Sequence, residues 1–174
     1  LKFWNDKKDK KFKDAYFNRF NNIWHHGDFA EIKKTNGLII HGRSDTTLNP
    51  GGVRLGTAEI YTEVERFKEV KESIVVGQSW DNDVRIILFI VMNTKFYLTE
   101  DLLKKIKLRI KKNASPRHVP SKIIQVKDIP RTKSGKIVEL AVKNILDGNN
   151  IKNKEALANP EALKQFKNLK ELRN

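Results

Sequence analysis

The stretch from Val84 to Met92 constrains this chain most: after Arg85 it reads Ile-Ile-Leu-Phe-Ile-Val-Met without a polar residue. It is far shorter than the ~20 apolar residues of a membrane helix, and its β-branched and aromatic content favours a strand. Apolar side chains at successive positions, rather than alternate ones, mark a central strand. A second β-branched stretch, Ser73 to Gly77, precedes it, and Trp80-Asp81-Asn82-Asp83 reads as the turn between them.

Helical spacing flanks this pair. From Thr57, a candidate N-cap, Ile60, Val64, Phe67 and Val70 recur at helical intervals, with Glu59 in the first turn. Thr99 opens a second helix whose stripe is Leu102, Leu103, Ile106 and Ile110. Its other face carries Lys104, Lys105, Lys107, Arg109, Lys111 and Lys112. Pro116, Pro120 and Pro130 punctuate the region around a further strand, Lys122 to Val126. Then come a tight loop at Lys133 to Lys136 and a helix from Val138 to Leu146, closed by Gly148. Asn159-Pro160-Glu161 has the N-cap, first-turn proline and early acid of a last helix. The order from Thr57 on is α-β-β-α-β-loop-α, without the βαβ series of a nucleotide fold. The expected class is α+β, a short sheet with flanking helices.

Upstream, residues 5–14 are polar and Lys-rich and read as an exposed loop. Residues 15–24 concentrate Tyr16, Phe17, Phe20 and Trp24, which need something to pack on. Residues 29–41 read as a hairpin around Thr35-Asn36-Gly37, and 41–55 as a Gly-rich loop. The chain begins at Leu1 rather than Met and is expected to be a fragment.

Composition narrows the function. The 174 residues contain no Cys, which excludes disulfides, thiolate metal sites and cysteine catalysis. The four His have no metal-ligand spacing and read as structural, so no protein metal site is expected. The formal charge of +14 asks for an anionic partner or reflects solvated lysine faces. Nucleic acid is one such partner, but the basic residues lie on amphipathic helices and no exposed aromatic stacking motif accompanies them. Neither nucleic acid nor a membrane is expected as a partner, and a reducing cytoplasm suits the Cys-free chain.

Three segments carry a resemblance: His26-Gly27-Asp28; Gly42-Arg43-Ser44-Asp45, running through Asn49-Pro50-Gly51-Gly52-Val53-Arg54 to Gly56-Thr57-Ala58-Glu59-Ile60; and Pro130-Arg131-Thr132-Lys133-Ser134-Gly135-Lys136-Ile137. In order and spacing they resemble the last motifs of the adenylate-forming acyl-CoA synthetases. Ser115-Pro116-Arg117-His118-Val119-Pro120, Glu139-Leu140-Ala141-Val142 and the stretch Asn153 to Pro160 are similar to the acetoacetate-activating subfamily in particular.

The resemblance implies roles residue by residue. Asp28 would accept hydrogen bonds from the ribose hydroxyls of a nucleotide, although alone it reads more readily as a turn aspartate. Arg43 would contact the ribose region and Arg54 the adenylate phosphate, as planar forks suited to anions. Asp45 would be the hinge about which the C-terminal domain turns between two half-reactions. Gly51 and Gly52 would let the backbone pass close to the pantetheine arm of CoA, and Lys111 or Lys112 would meet its phosphates. Lys136 would be the catalytic lysine, an ammonium on a flexible loop stabilising charge as a carboxylate attacks the α-phosphate of ATP.

The same resemblance divides the chain. Residues 1–42 would end a large N-terminal adenylation domain, and 43–174 would form a small mobile lid. The phosphate loop, the adenine-binding stretch and the carboxylate pocket of the family would lie upstream. The substrates implied are acetoacetate, ATP and CoA, with Mg2+ accompanying ATP, and the missing N-terminal domain is the implied partner. This polypeptide alone is expected to be inactive. A synthetase for acetate or propionate stays open, because none of these residues reads the acyl group.

Overall fold

The computed structural model describes residues 3–151 and 154–173. Its helices and strands are α1 (Lys10–Tyr16), β1 (Asp28–Ile32), β2 (Leu38–Arg43), α2 (Thr57–Val64), β3 (Val70–Trp80), β4 (Asp83–Met92), α3 (Glu100–Asn113), β5 (Lys122–Gln125) and α4 (Glu139–Leu146). Short 3-10 turns link them, and one at Pro160–Phe166 takes the place expected for a last α-helix. Asn159 does not cap that turn. Its side chain instead bonds Asp128, the Ile129 carbonyl and the Arg131 amide.

β4 is the middle strand of the order β3-β4-β5, antiparallel to β3 and parallel to β5. Its side chains alternate between two covered faces. Ile86, Leu88 and Ile90 pack with Ile60 and Val64 of α2 and with Leu102, Ile106 and Ile110 of α3. Ile87, Phe89 and Val91 pack with Val142 of α4 and with Phe166 and Leu172 near the end of the chain. That double cover is why the β4 sequence is apolar without alternation. The connection β4-α3-β5 is a single parallel crossover, and the α+β architecture is as expected.

Several boundaries differ from the sequence reading, each for a physical reason. Residues 10–16 form a helix that begins inside the exposed loop expected over 5–14. The Asp6 carboxylate accepts from the Lys11 and Phe12 amides, both at 2.9 Å, and Phe12 and Tyr16 pack on Trp24. Tyr16 and Trp24 stack at 4.1 Å, so the aromatic residues of this region partner one another. Gly56, not Thr57, caps α2. A Cβ on Gly56 would stand 2.7 Å from the His41 carbonyl oxygen, so the close approach of β2 fixes glycine there. α2 stops at Val64 rather than continuing to Val70, because Val70 pairs with Met92 and opens β3. β3 is longer than Ser73 to Gly77, since it pairs with β4 up to a tight turn at Asp81 and Asn82, both at positive φ.

The hairpin expected over 29–41 is present as β1 and β2, with Asn36 at φ 61° in its turn. Thr99 caps α3 through a 3.3 Å bond from the Leu102 amide, and Gly148 at φ 73° follows α4. No helix among the described residues is long and apolar enough to cross a membrane.

Candidate functional site

The β1/β2 register sets Asp28 directly opposite Arg43. The Arg43 fork lies between two carboxylates: Nη1 is 3.8 Å from Asp28 Oδ1, and Nε is 3.4 Å from Asp45 Oδ1. Nη1 also donates to the His26 carbonyl at 3.0 Å. His26 Nδ1 lies 2.6 Å from Asp28 Oδ2, which orients the carboxylate from the other side. Gly27, at φ +91°, makes room for this arrangement: a Cβ there would stand 2.8 Å from Arg43 Nη2. An open cleft of about 630 Å3 borders the cluster, lined among others by Tyr16, Trp24, His26, Arg43 and Asp45. Three residues read separately from sequence, Asp28, Arg43 and Asp45, therefore form one charged group at the strand ends.

Gly51 and Gly52 sit in a 3-10 turn with successive positive φ values of 59° and 75°. The turn is tied to the β3-β4 hairpin, because the Gly51 amide donates to the Asp83 carboxylate at 2.9 and 3.0 Å. Space is open around Gly52, and Arg117 Nη1 lies 3.8 Å from where a Cβ on Gly51 would stand. Arg54 follows, exposed and without an ion pair among the described residues, just inside the Leu48–Leu55 bridge that closes this loop. Lys111 and Lys112 occupy the exposed last turn of α3, where cations complement the helix dipole.

Lys136 lies on a small hairpin rather than the flexible loop expected. Arg131 and Ile137 form an antiparallel bridge, and the Thr132 amide donates to the Lys136 carbonyl at 2.9 Å. Gly135 at φ +83° makes the tip, and the Lys136 amide donates to Thr132 Oγ1 at 3.1 Å. Thr132 also bridges to Leu157, which lays the residues after α4 along the outer strand of the hairpin. The Lys136 side chain is exposed and forms no hydrogen bond or ion pair with the Arg43 cluster.

Two buried polar links support these loops. His118 accepts or donates at both ring nitrogens, 2.8 Å from Ser115 Oγ and 2.7 Å from Glu59 Oε2 at the start of α2. Glu63, 7% exposed, receives Asn113 at 2.7 Å and Arg109 at 2.8 Å, locking α2 to α3. The Asn113 bond, and then Arg109, hold the Glu63 carboxyl below its ordinary range against the opposing effect of burial. Sequence reading assigned none of Glu63, Glu72 or Tyr61 a role, and took Glu59 only as a first-turn acid within a motif. His26, two residues before Asp28, is a partner that proximity in sequence offers. Among the described residues no three His, Asp or Glu converge on a point that could hold a metal ion.

Residues 60–136 match the AMP-binding enzyme C-terminal domain. The chain as a whole is similar to acetoacetyl-CoA synthetases over almost its full length. It is 60% identical over 172 residues to that of Rhizobium meliloti (strain 1021) and 48% identical over 174 residues to that of Xenopus tropicalis. In each case the match covers 99% of this chain and 26% of the relative. The solved acetoacetyl-CoA synthetase from Streptomyces lividans superposes with a TM-score of 0.87 at 38% identity, over 95% of this chain and 25% of that one. A benzoate CoA ligase from Burkholderia xenovorans LB400 shares the fold at a TM-score of 0.66 and 24% identity, over 82% of this chain and 27% of that one. The chain thus spans about a quarter of the length of the relatives it matches.

Proposed function

We infer that this chain is the C-terminal part of a ligase that makes acetoacetyl-CoA from acetoacetate, ATP and CoA by way of an acyl-adenylate. The carrying observation is the 60% identity to an acetoacetyl-CoA synthetase across 99% of the chain. In the first half-reaction a carboxylate oxygen bonds to the α-phosphorus of ATP while the bond to the β-phosphate oxygen breaks, releasing pyrophosphate. Lys136 supplies a positive charge where that negative charge accumulates. Asp28 accepts from the ribose hydroxyls, Arg43 orients Asp28 and faces the ribose, and the exposed fork of Arg54 meets the adenylate phosphate.

In the second half-reaction the CoA sulfur bonds to the acyl carbon, AMP leaves, and the thiol proton passes to solvent. Residues 43–174 act as the lid that turns between the two steps about Asp45, against a large domain that ends near residue 42. The Gly51-Gly52 backbone passes the pantetheine arm, and Lys111 and Lys112 meet the nucleotide phosphates of CoA. Mg2+ would enter with ATP and offset phosphate charge, and none of the residues named here would hold it. The catalytic lysine and the CoA-facing surface come from this part. The adenine and carboxylate pockets belong to the remainder of the enzyme, so this segment alone is inactive. The reaction runs in the cytoplasm.

The test is a comparison of acetoacetate, acetate and propionate as substrates of the complete polypeptide, read as acid-dependent CoA thioester formation. The highest kcat/KM is expected with acetoacetate. A preference for acetate or propionate would overturn the substrate and leave the ligase class standing.

A further inference from the structure

Among the described residues, β3 is the edge strand of its sheet, with β4 on one side and no strand on the other. Two side-chain bridges lie along that free edge, one ending on the hairpin that carries Lys136 and the other on the first residue of α4 just beyond it. At one end, Arg131 Nη2 lies 2.8 Å from Glu72 Oε2 on β3, while Nη1 of the same fork donates to the Gly135 carbonyl at 2.9 Å, next to Lys136. At the other, the Tyr61 hydroxyl of α2 donates to Glu139 Oε1, three residues beyond Lys136, and accepts from the β3 amide of Val75 at 3.0 Å. Glu139 opens α4, so Tyr61 reaches past the sheet edge to join helices that cover opposite faces. Burial pushes the Tyr61 hydroxyl well above its ordinary range, with the Glu139 charge adding to the rise, so it stays a donor at neutral pH.

We propose that Glu72–Arg131 and Tyr61–Glu139 are a positioning clamp that fixes the direction of Lys136 for adenylation. The proposal rests on the adenylation role given to Lys136 above. A fork shared between a β3 carboxylate and the hairpin tip sets where the following ammonium points, and a short-range error in such placement costs rate more than binding. A fixed hairpin also travels as one body with the sheet when the lid turns.

The experiment uses the complete polypeptide and separates the half-reactions. Adenylation is read as acetoacetate-dependent exchange of pyrophosphate into ATP, and thioester formation from supplied acetoacetyl-adenylate and CoA. Glu72→Gln is expected to lower the kcat of exchange by about tenfold to a hundredfold, with little change in KM for ATP and none in thioester formation. Glu72→Asp is expected to restore part of the loss. Arg131→Lys, which keeps the charge but loses the second arm of the fork, is expected to show the same split and serves if Glu72→Gln fails to fold. Because the clamp acts through Lys136, Glu72→Gln is expected to add no further loss in a Lys136→Ala background. Equal losses in both half-reactions, or an undiminished loss on top of Lys136→Ala, would overturn the clamp alone. Normal exchange by Lys136→Ala itself would overturn the lysine's role and the clamp with it.

Discussion

Gly27 shows how a single residue holds the Asp28–Arg43–Asp45 group, which is proposed to face the nucleotide. It takes a φ of +91° and leaves space that the Arg43 guanidinium fills. Gly27→Ala is expected to destabilise by more than about 1 kcal/mol, from backbone strain, and also to displace Arg43 from between Asp28 and Asp45. Gly52→Ala is the matched control, since it meets strain at φ +75° but open space around its Cβ. Thermal unfolding should fall for both variants, while AMP affinity of the complete polypeptide should fall for Gly27→Ala alone. Equal losses of AMP affinity would contradict the seat proposed for Arg43. The charged residues of this group were legible in the sequence because Asp28, Arg43 and Asp45 sit in spaced motifs. The way Arg43 joins them was not, since it depends on the strand register. Tyr61 and Glu139 lie 78 residues apart, and no local pattern marks them as partners.

At the scale of elements, α2 and α3 are joined by Glu63 as well as by the apolar stripe. The Glu63 carboxyl is held below its ordinary range in the folded chain, so its contribution to stability is complete above the ordinary glutamate value. It is lost as pH falls through the depressed one. Glu63→Gln is therefore expected to cost about 1 kcal/mol near neutral pH and to shrink that deficit as the solution is acidified. Denaturant unfolding of the variant and the parent across the acid range measures this, and a constant difference would contradict it. The elements themselves were largely readable. Val84 to Met92 announces a strand covered on both faces, and Thr99 announces the start of α3. The ends were less so. The spacing of Ile60, Val64, Phe67 and Val70 suits a longer helix, but pairing with Met92 recruits Val70 into the sheet instead. Local helical preference gave way there to a contact distant in sequence.

Across the whole molecule, the sheet depends on residues close to the end of the chain. Phe166 is 1% exposed and meets Phe89 edge to face at 4.9 Å, and Arg85 donates to the Leu172 carbonyl. Phe166→Ala is expected to cost about 3–5 kcal/mol, seen as a lowered Tm. A change under about 1 kcal/mol would mean that the site collapses around the void. The β1/β2 hairpin contrasts with this core: Ile32 is 77% and Leu38 62% exposed, with Ile39 and Ile40 also open. Such a face fits the proposal that residues up to about 42 belong to a larger domain, which the quarter-length match to the relatives also supports. The central claim is that Lys136 serves one of two half-reactions. The most direct measurement is Lys136→Ala in the complete polypeptide, with each half-reaction assayed separately. The account predicts a fall of about a hundredfold to a thousandfold in acetoacetate-dependent pyrophosphate exchange, with thioester formation from supplied acetoacetyl-adenylate unchanged. Exchange at the parent rate, or equal losses in both half-reactions, would contradict it.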